Sequence, residues 1–173
     1  VYRTLRQYED ALDDLSEALR LRDDDAIRVQ RMRTAYLAGR YSIARDDADA
    51  LASADVNESI ISTGELLLLQ ARIAIDTASD DGDYENGLAL LNDAVFVEGV
   101  PEGLRPIADE YIARAQMALG NYEEARNAIE LALDAGETGS RYYLRGQILE
   151  ALGESEEQTL LLEQALRDYE TVL

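Results

Sequence analysis

The chain has 173 residues, 36 carboxylates against 16 basic side chains, a net charge of −20 and a pI near 4.2; every basic residue is arginine. A field of that sign repels phosphate backbones and anionic lipid surfaces, which argues against nucleic-acid and acidic-membrane partners. Cysteine and histidine are both absent, so disulfides, thiolate or imidazole metal sites and the commonest nucleophile and general base are removed at once.

Apolar residues make up 47% and aromatics 6%, with a single phenylalanine, Phe96, and two prolines, Pro101 and Pro106. A core of Ala, Leu, Ile and Tyr with almost no proline favours closely packed helices. No apolar run approaches the ~20 residues of a membrane span, and no signal peptide is present. The chain opens at Val1 inside a helical pattern, so it reads as a fragment of a longer protein. The cytoplasm is its expected location. Its acid-rich, lysine-free composition points to a high-salt or GC-rich organism.

One pattern recurs along the chain. Its clearest copy is Leu119-Gly120-Asn121-Tyr122-Glu123-Glu124-Ala125, running on to Leu133. Gly120 suits the left-handed conformation that stops a helix. Asn121 is expected to cap the next helix by accepting a backbone N–H. Ala125, Ala128, Ile129, Ala132 and Leu133 then form one apolar helix face. In chain order, the first copy centres on Tyr8 with Ala11, Leu15, Ala18 and Leu19, Arg6 replacing the glycine. The second is Gly39, Tyr41, Ala44, Ala48, Leu51 and Ala52. The third is Gly82, Tyr84, Gly87, Leu91, Ala94 and Val95, the fourth is the stretch just described, and the fifth is Gly153, Ser155, Gln158, Leu162, Ala165 and Leu166.

These copies predict second helices near 7–21, 41–53, 84–98, 122–135 and 154–171. Room for a first helix precedes each turn: an apolar stripe with Ile27, Val29, Met32, Ala35 and Tyr36, one long helix over 58–79, a stripe from Ile107 to Leu119, and a less regular one from Tyr142 to Leu152. Such a helix–turn–helix unit cannot bury its apolar face alone, so neighbouring units must stack. The longer second interval carries extra residues around Val56 to Glu65, and Val97 to Gly103 is a turn-rich connection.

Gly-Asn-Tyr-Glu-Glu-Ala at 120–125, Gly-Asp-Tyr-Glu at 82–85, the small residues Ala94, Ala132 and Ala165 and the repeat period together resemble the tetratricopeptide repeat family. The first-helix tryptophan and the closing proline of that family are missing, with Tyr142 the nearest stand-in for the tryptophan. Only Gly146 keeps the family's first-helix glycine. The expectation is an all-α fold: a single array over 1–173, a right-handed superhelical solenoid of antiparallel helix pairs with four to five repeats. The resemblance implies a non-catalytic protein–protein interaction scaffold whose first helices line a concave groove for a peptide or helix. Matched onto this chain, the groove-facing residues are Gln30, Arg31, Thr34, Arg72, Asp76, Glu110, Tyr111, Arg114, Tyr143 and Gln147. Arg31 or Arg114 is expected to fix an acidic side chain or C-terminal carboxylate of the partner.

Other candidate chemistry is weak. The acidic runs at Asp23–Asp25, Asp46–Asp49 and Asp80–Asp83 fail the EF-hand pattern, because Gly82 as the loop glycine would place Leu88 at the twelfth position. Helix capping is their expected role. No pair of carboxylates and no phosphate loop stands out, so neither an enzyme nor a cofactor or metal site is expected. Seven arginines between Arg20 and Arg45 form a local positive island, which either grips acidic groups of a partner or pairs with the neighbouring aspartates. Two other readings stand beside the scaffold: an oligomerisation or array segment docking through apolar ends at Val1-Tyr2 and Thr171 to Leu173, and a regulatory sensor domain of a larger protein.

Overall fold

A computed structural model describes residues 2–54, 56–156 and 159–172. Val1, Gln158 and Leu173, two chain ends and one fifth-copy position, lie outside these residues. Among the described residues the chain is all-helical: α1 (Tyr2–Leu21), α2 (Asp25–Leu37), α3 (Tyr41–Ala52), α4 (Thr63–Asp76), α5 (Asp81–Asn92), α6 (Arg105–Ala118), α7 (Tyr122–Ala135), α8 (Gly139–Glu156) and α9 (Thr159–Val172). A π turn at Asp93–Glu98 and a 3-10 turn at Glu102–Leu104 join α5 to α6. The helices pair as α2 with α3, α4 with α5, α6 with α7 and α8 with α9. Helix α1 packs on α2 and holds the place of a second helix.

The central first helices α4 and α6 each serve two cores. On α4, Leu66, Leu69 and Ile73 join Val29, Met32, Ala44, Ala48 and Leu51, while Leu68, Ala71 and Ile75 join Leu91, Ala94, Ala108 and Tyr111. On α6, Ala113 turns instead to the third core, with Ile129, Ala132, Leu144 and Ile148. The hydrophobic interior is therefore a row of linked clusters, each closed only by the next hairpin, as a stacked array requires. Successive first helices α4–α6 and α6–α8 touch, and no pair of successive second helices packs to the same extent. The first helices accordingly line the inner side of the array.

Local turn chemistry explains most boundaries. Gly39 and Gly120 end their helices at φ 71 and 76, where an L side chain is strained. The apolar face expected on α7 is buried in full: Ala125, Ala128, Ile129, Ala132 and Leu133. Four expectations need correction. Asn121 makes no side-chain cap; its amide instead donates to Gln116 Oε1 at 2.8 Å. Gly82 stops nothing, because Asp80 caps α5 through the Asp83 N–H at 3.0 Å and the helix already begins at Asp81. The single helix over 58–79 is a loop followed by α4, started by Ser62, whose hydroxyl accepts from Glu65 N–H at 3.2 Å. Gly153 lies within α8, so the last second helix begins at Thr159 rather than 154. Two other glycines mark close approach. A Cβ at Gly64 would stand 2.3 Å from the Gly99 carbonyl oxygen, and one at Gly146 would stand 2.7 Å from the Tyr169 ring.

Candidate functional site

The inner face carries a polar and aromatic cluster drawn from three consecutive hairpins. Tyr36 comes from the last turn of α2, Arg72 and Asp76 from the end of α4, and Tyr111 and Arg114 from α6. Asp76 Oδ2 accepts from Tyr36 Oη at 2.5 Å and from Tyr111 Oη at 2.9 Å, and the two hydroxyls are 2.6 Å apart. The Arg72 guanidinium carbon lies 4.4 Å from the Tyr36 ring centre and 5.3 Å from that of Tyr111; Arg114 covers Tyr111 at 4.7 Å. Stacking of this kind stabilises a guanidinium by about 0.5–2 kcal/mol when it is partly desolvated. Burial, and then the hydrogen bonds to Asp76 and Tyr111, push the Tyr36 hydroxyl well above the ordinary phenol range.

The cluster continues outward. Arg114 donates to Glu110 Oε1 at 2.8 Å and stands 3.6 Å from Asp76 Oδ1. Glu110 also accepts from Arg141 of α8 at 3.2 Å. Arg141 is buried and donates as well to the Ala132 carbonyl at 2.9 Å and the Gly136 carbonyl at 2.5 Å, tying α8 to the end of α7. Among the described residues, the Arg72 Nε–H is a buried side-chain donor with no hydrogen-bond partner. Leaving such a group unpaired costs about 1–3 kcal/mol.

Beside this donor the inner face opens into a cavity of about 230 Å³ between α2 and α4. Leu68, Leu69 and Leu104 supply its apolar wall, Tyr36 and Arg72 its polar one, and an ion pair between Arg33 and Glu65 borders it. Leu37, 56% exposed, sits at its rim.

The structure brings together Arg72, Asp76, Glu110, Tyr111 and Arg114 from the expected groove set. Arg31 lies elsewhere: it donates to both oxygens of the buried Asp47 on α3, at 2.8 and 2.7 Å. Gln30 is exposed and Thr34 half-buried on α2, and Tyr143 is 50% exposed and Gln147 half-buried on α8. The arginine island is internally matched. Arg20 pairs with Glu17, Arg22 with Asp24, Arg28 with Asp23 and Asp47, Arg33 with Glu65 and Arg40 with Glu9, while Arg45 donates to Thr77 Oγ1 at 2.8 Å. Of the acidic runs, Asp24 and Asp80 serve as helix caps and Asp47 as the buried anchor for Arg31.

Sequence reasoning placed Tyr36 in the apolar stripe of α2 and missed Leu37, Leu68 and Leu104 as cavity walls. Counted from the repeat tyrosines Tyr41, Tyr84 and Tyr122, Arg72 and Tyr111 hold neighbouring positions while Tyr36 lies about two turns later, so alignment of the repeats carries no signal that Tyr36 meets the other two. The tetratricopeptide repeat family matches residues 112–135, the latter half of α6, the Gly120 turn and α7. No curated protein and no solved structure matches the chain.

Proposed function

With residues 112–135 matching the tetratricopeptide repeat family inside an all-helical stack of hairpins, we propose that this chain is a non-catalytic scaffold that captures a segment of a protein partner on its inner face. The observation that carries this reading is the cavity between α2 and α4, with an apolar wall and an unpaired buried Arg72 Nε–H beside it. Such a pocket suits one apolar anchor side chain of the partner, the arrangement in which a few desolvated contacts dominate affinity. Arg114, whose side chain is 38% exposed, supplies a cation for an acidic side chain or C-terminal carboxylate lying alongside. Gln30, Thr34, Tyr143 and Gln147 extend the contact along the face. Arg31 contributes through the packing of α2 on α3.

Peptides selected from a random display library on the whole chain test this reading. Their affinity is measured again on Leu37→Glu and Arg114→Ala, with Leu131→Glu on α7 as an equally exposed control. A loss of about tenfold or more on the first two, with the control unchanged, is expected. Peptides that bind all four proteins alike would remove the inner face as the site.

A further inference from the structure

The charge of the chain is unevenly distributed between its first and second helices. The first helices α2, α4, α6 and α8 carry eight carboxylates and eight arginines, whereas α1, α3, α5, α7 and α9 carry eighteen carboxylates and six arginines. The first helices are thus balanced in charge, and the excess negative charge within the helices belongs to the second helices. A cleft of about 750 Å³ opens between α3 and α5 and is floored by α4. It is larger than the cavity between α2 and α4 and lies outside the inner-face site. Ala48, Ile73, Ala74 and Leu90 give it an apolar floor, and Asp49 of α3 and Asp83 of α5 are both among its lining residues. Asp49 is exposed, and among the described residues its carboxylate takes one long contact, from Gln70 Nε2 at 3.5 Å. Asp83 accepts from Ser79 N–H at 2.9 Å and Ser79 Oγ at 3.0 Å through one oxygen, Oδ2. Arg45, the cation in the cleft, is held on Thr77 Oγ1 at 2.8 Å.

We propose that the α3–α5 cleft is a second interaction surface, one that takes a basic segment of a protein partner, with an arginine or lysine head between Asp49 and Asp83. The floor fits this occupant, since the methylene stem of such a side chain covers apolar surface while its head reaches the carboxylates. The field of the second helices steers a basic segment to this cleft and repels an acidic one. A nucleic acid is rejected by the same field. Arg45 opposes a cation locally, but two carboxylates stand against it in the cleft.

The test uses the whole chain and two short labelled peptides, alternating Arg-Ala and alternating Glu-Ala, followed by fluorescence anisotropy at about 0.15 M salt, where long-range attraction is largely screened. Asp49→Asn and Asn86→Arg alter the cleft. Asp134→Asn and Asn127→Arg make the same charge changes at exposed positions of α7. Circular dichroism verifies that all four variants remain helical. The Arg-Ala peptide should lose about tenfold in affinity on each cleft variant, the worth of one charge-assisted hydrogen bond, and less than about twofold on each α7 variant. Equal losses in the two sets would mean diffuse attraction by an acidic protein and would overturn the site. Preference for the Glu-Ala peptide, or no binding of either, would overturn it too. Leu37→Glu separates the two surfaces: it should leave Arg-Ala binding unchanged, and a loss there would move this peptide to the inner face.

Discussion

Tyr36 and Tyr111 share one carboxylate oxygen of Asp76 and touch through their hydroxyls at 2.6 Å, although 75 residues separate them in the chain. The contact joins hairpins that are not neighbours, reaching from α2 across the end of α4 to α6. It therefore ties the curvature of the array to a single carboxylate. Asp76→Ala should leave the Tyr36 and Tyr111 hydroxyls without their carboxylate acceptor and lower stability by about 1–3 kcal/mol. Thermal unfolding of Asp76→Ala, Tyr36→Phe and the double variant measures this. Additive effects within about 0.5 kcal/mol would show that the groups do not act together.

The same clasp predicts sensitivity to alkali. Burial and hydrogen bonding raise the folded pKa of Tyr36 above its unfolded value, which is near 10 for an ordinary phenol. The stability this contributes is complete below pH ~10 and is lost as pH rises from there toward the higher folded value, because the unfolded chain sheds the proton first. Tyr36→Phe should unfold with a shallower loss of stability above pH ~10 than the parent chain. Parallel pH profiles for the two proteins would contradict this.

Asp47 sits at 1% exposure and holds Arg31 through both oxygens. Removing Arg31 leaves the buried Asp47 carboxylate only the longer contact from Arg28, at 3.5 Å, and removing Asp47 leaves both arginines without it; breaking a fully buried pair costs about 3–5 kcal/mol, an upper bound for this partly exposed one. Asp47→Ala and Arg31→Ala should therefore both lower the denaturation midpoint strongly. Arg31→Ala, at temperatures where it remains folded, should leave inner-face peptide affinity within about twofold. A stable Arg31→Ala that fails to bind would return Arg31 to the binding surface.

Three glycines should rank by what stands opposite them. At Gly64 the obstacle is the Gly99 backbone at 2.3 Å, which no rotamer change relieves; at Gly146 it is the Tyr169 ring at 2.7 Å; at Gly120 there is open space but a positive φ of 76. Overpacking costs about 1–3 kcal/mol and left-handed strain about 1–2 kcal/mol. Urea midpoints should fall in the order Gly64→Ala, then Gly146→Ala, then Gly120→Ala. A Gly64→Ala midpoint near that of the parent would refute the close backbone approach.

Salt should stabilise this chain. Eighteen carboxylates on the five second helices repel one another, and that repulsion fades as the screening length falls from about 30 Å at 0.01 M to about 3 Å at 1 M. The melting temperature should rise steadily over that range in sodium chloride. An unchanged value would show that the carboxylates are already compensated.

The tetratricopeptide-like plan was legible in the sequence because it is written in short-range terms. Gly39 and Gly120 take left-handed backbone, and the Ala125-to-Leu133 face is buried, since turn chemistry and a 3.6-residue period act within one or two turns. The boundaries that went astray involve competition between neighbouring caps: Asp80 overrides Gly82, Ser62 sets the start of α4, and α8 runs through Gly153. The composition also announced the acidity of the whole chain. Which arginines are already matched to aspartates and which residues wall the cavity were decided only by the stacking of hairpins. The meeting of Tyr36, Asp76 and Tyr111 belongs to that second class, because contacts between hairpins depend on how far each one rotates against the next, a quantity summed over many packed side chains and carried by no single segment.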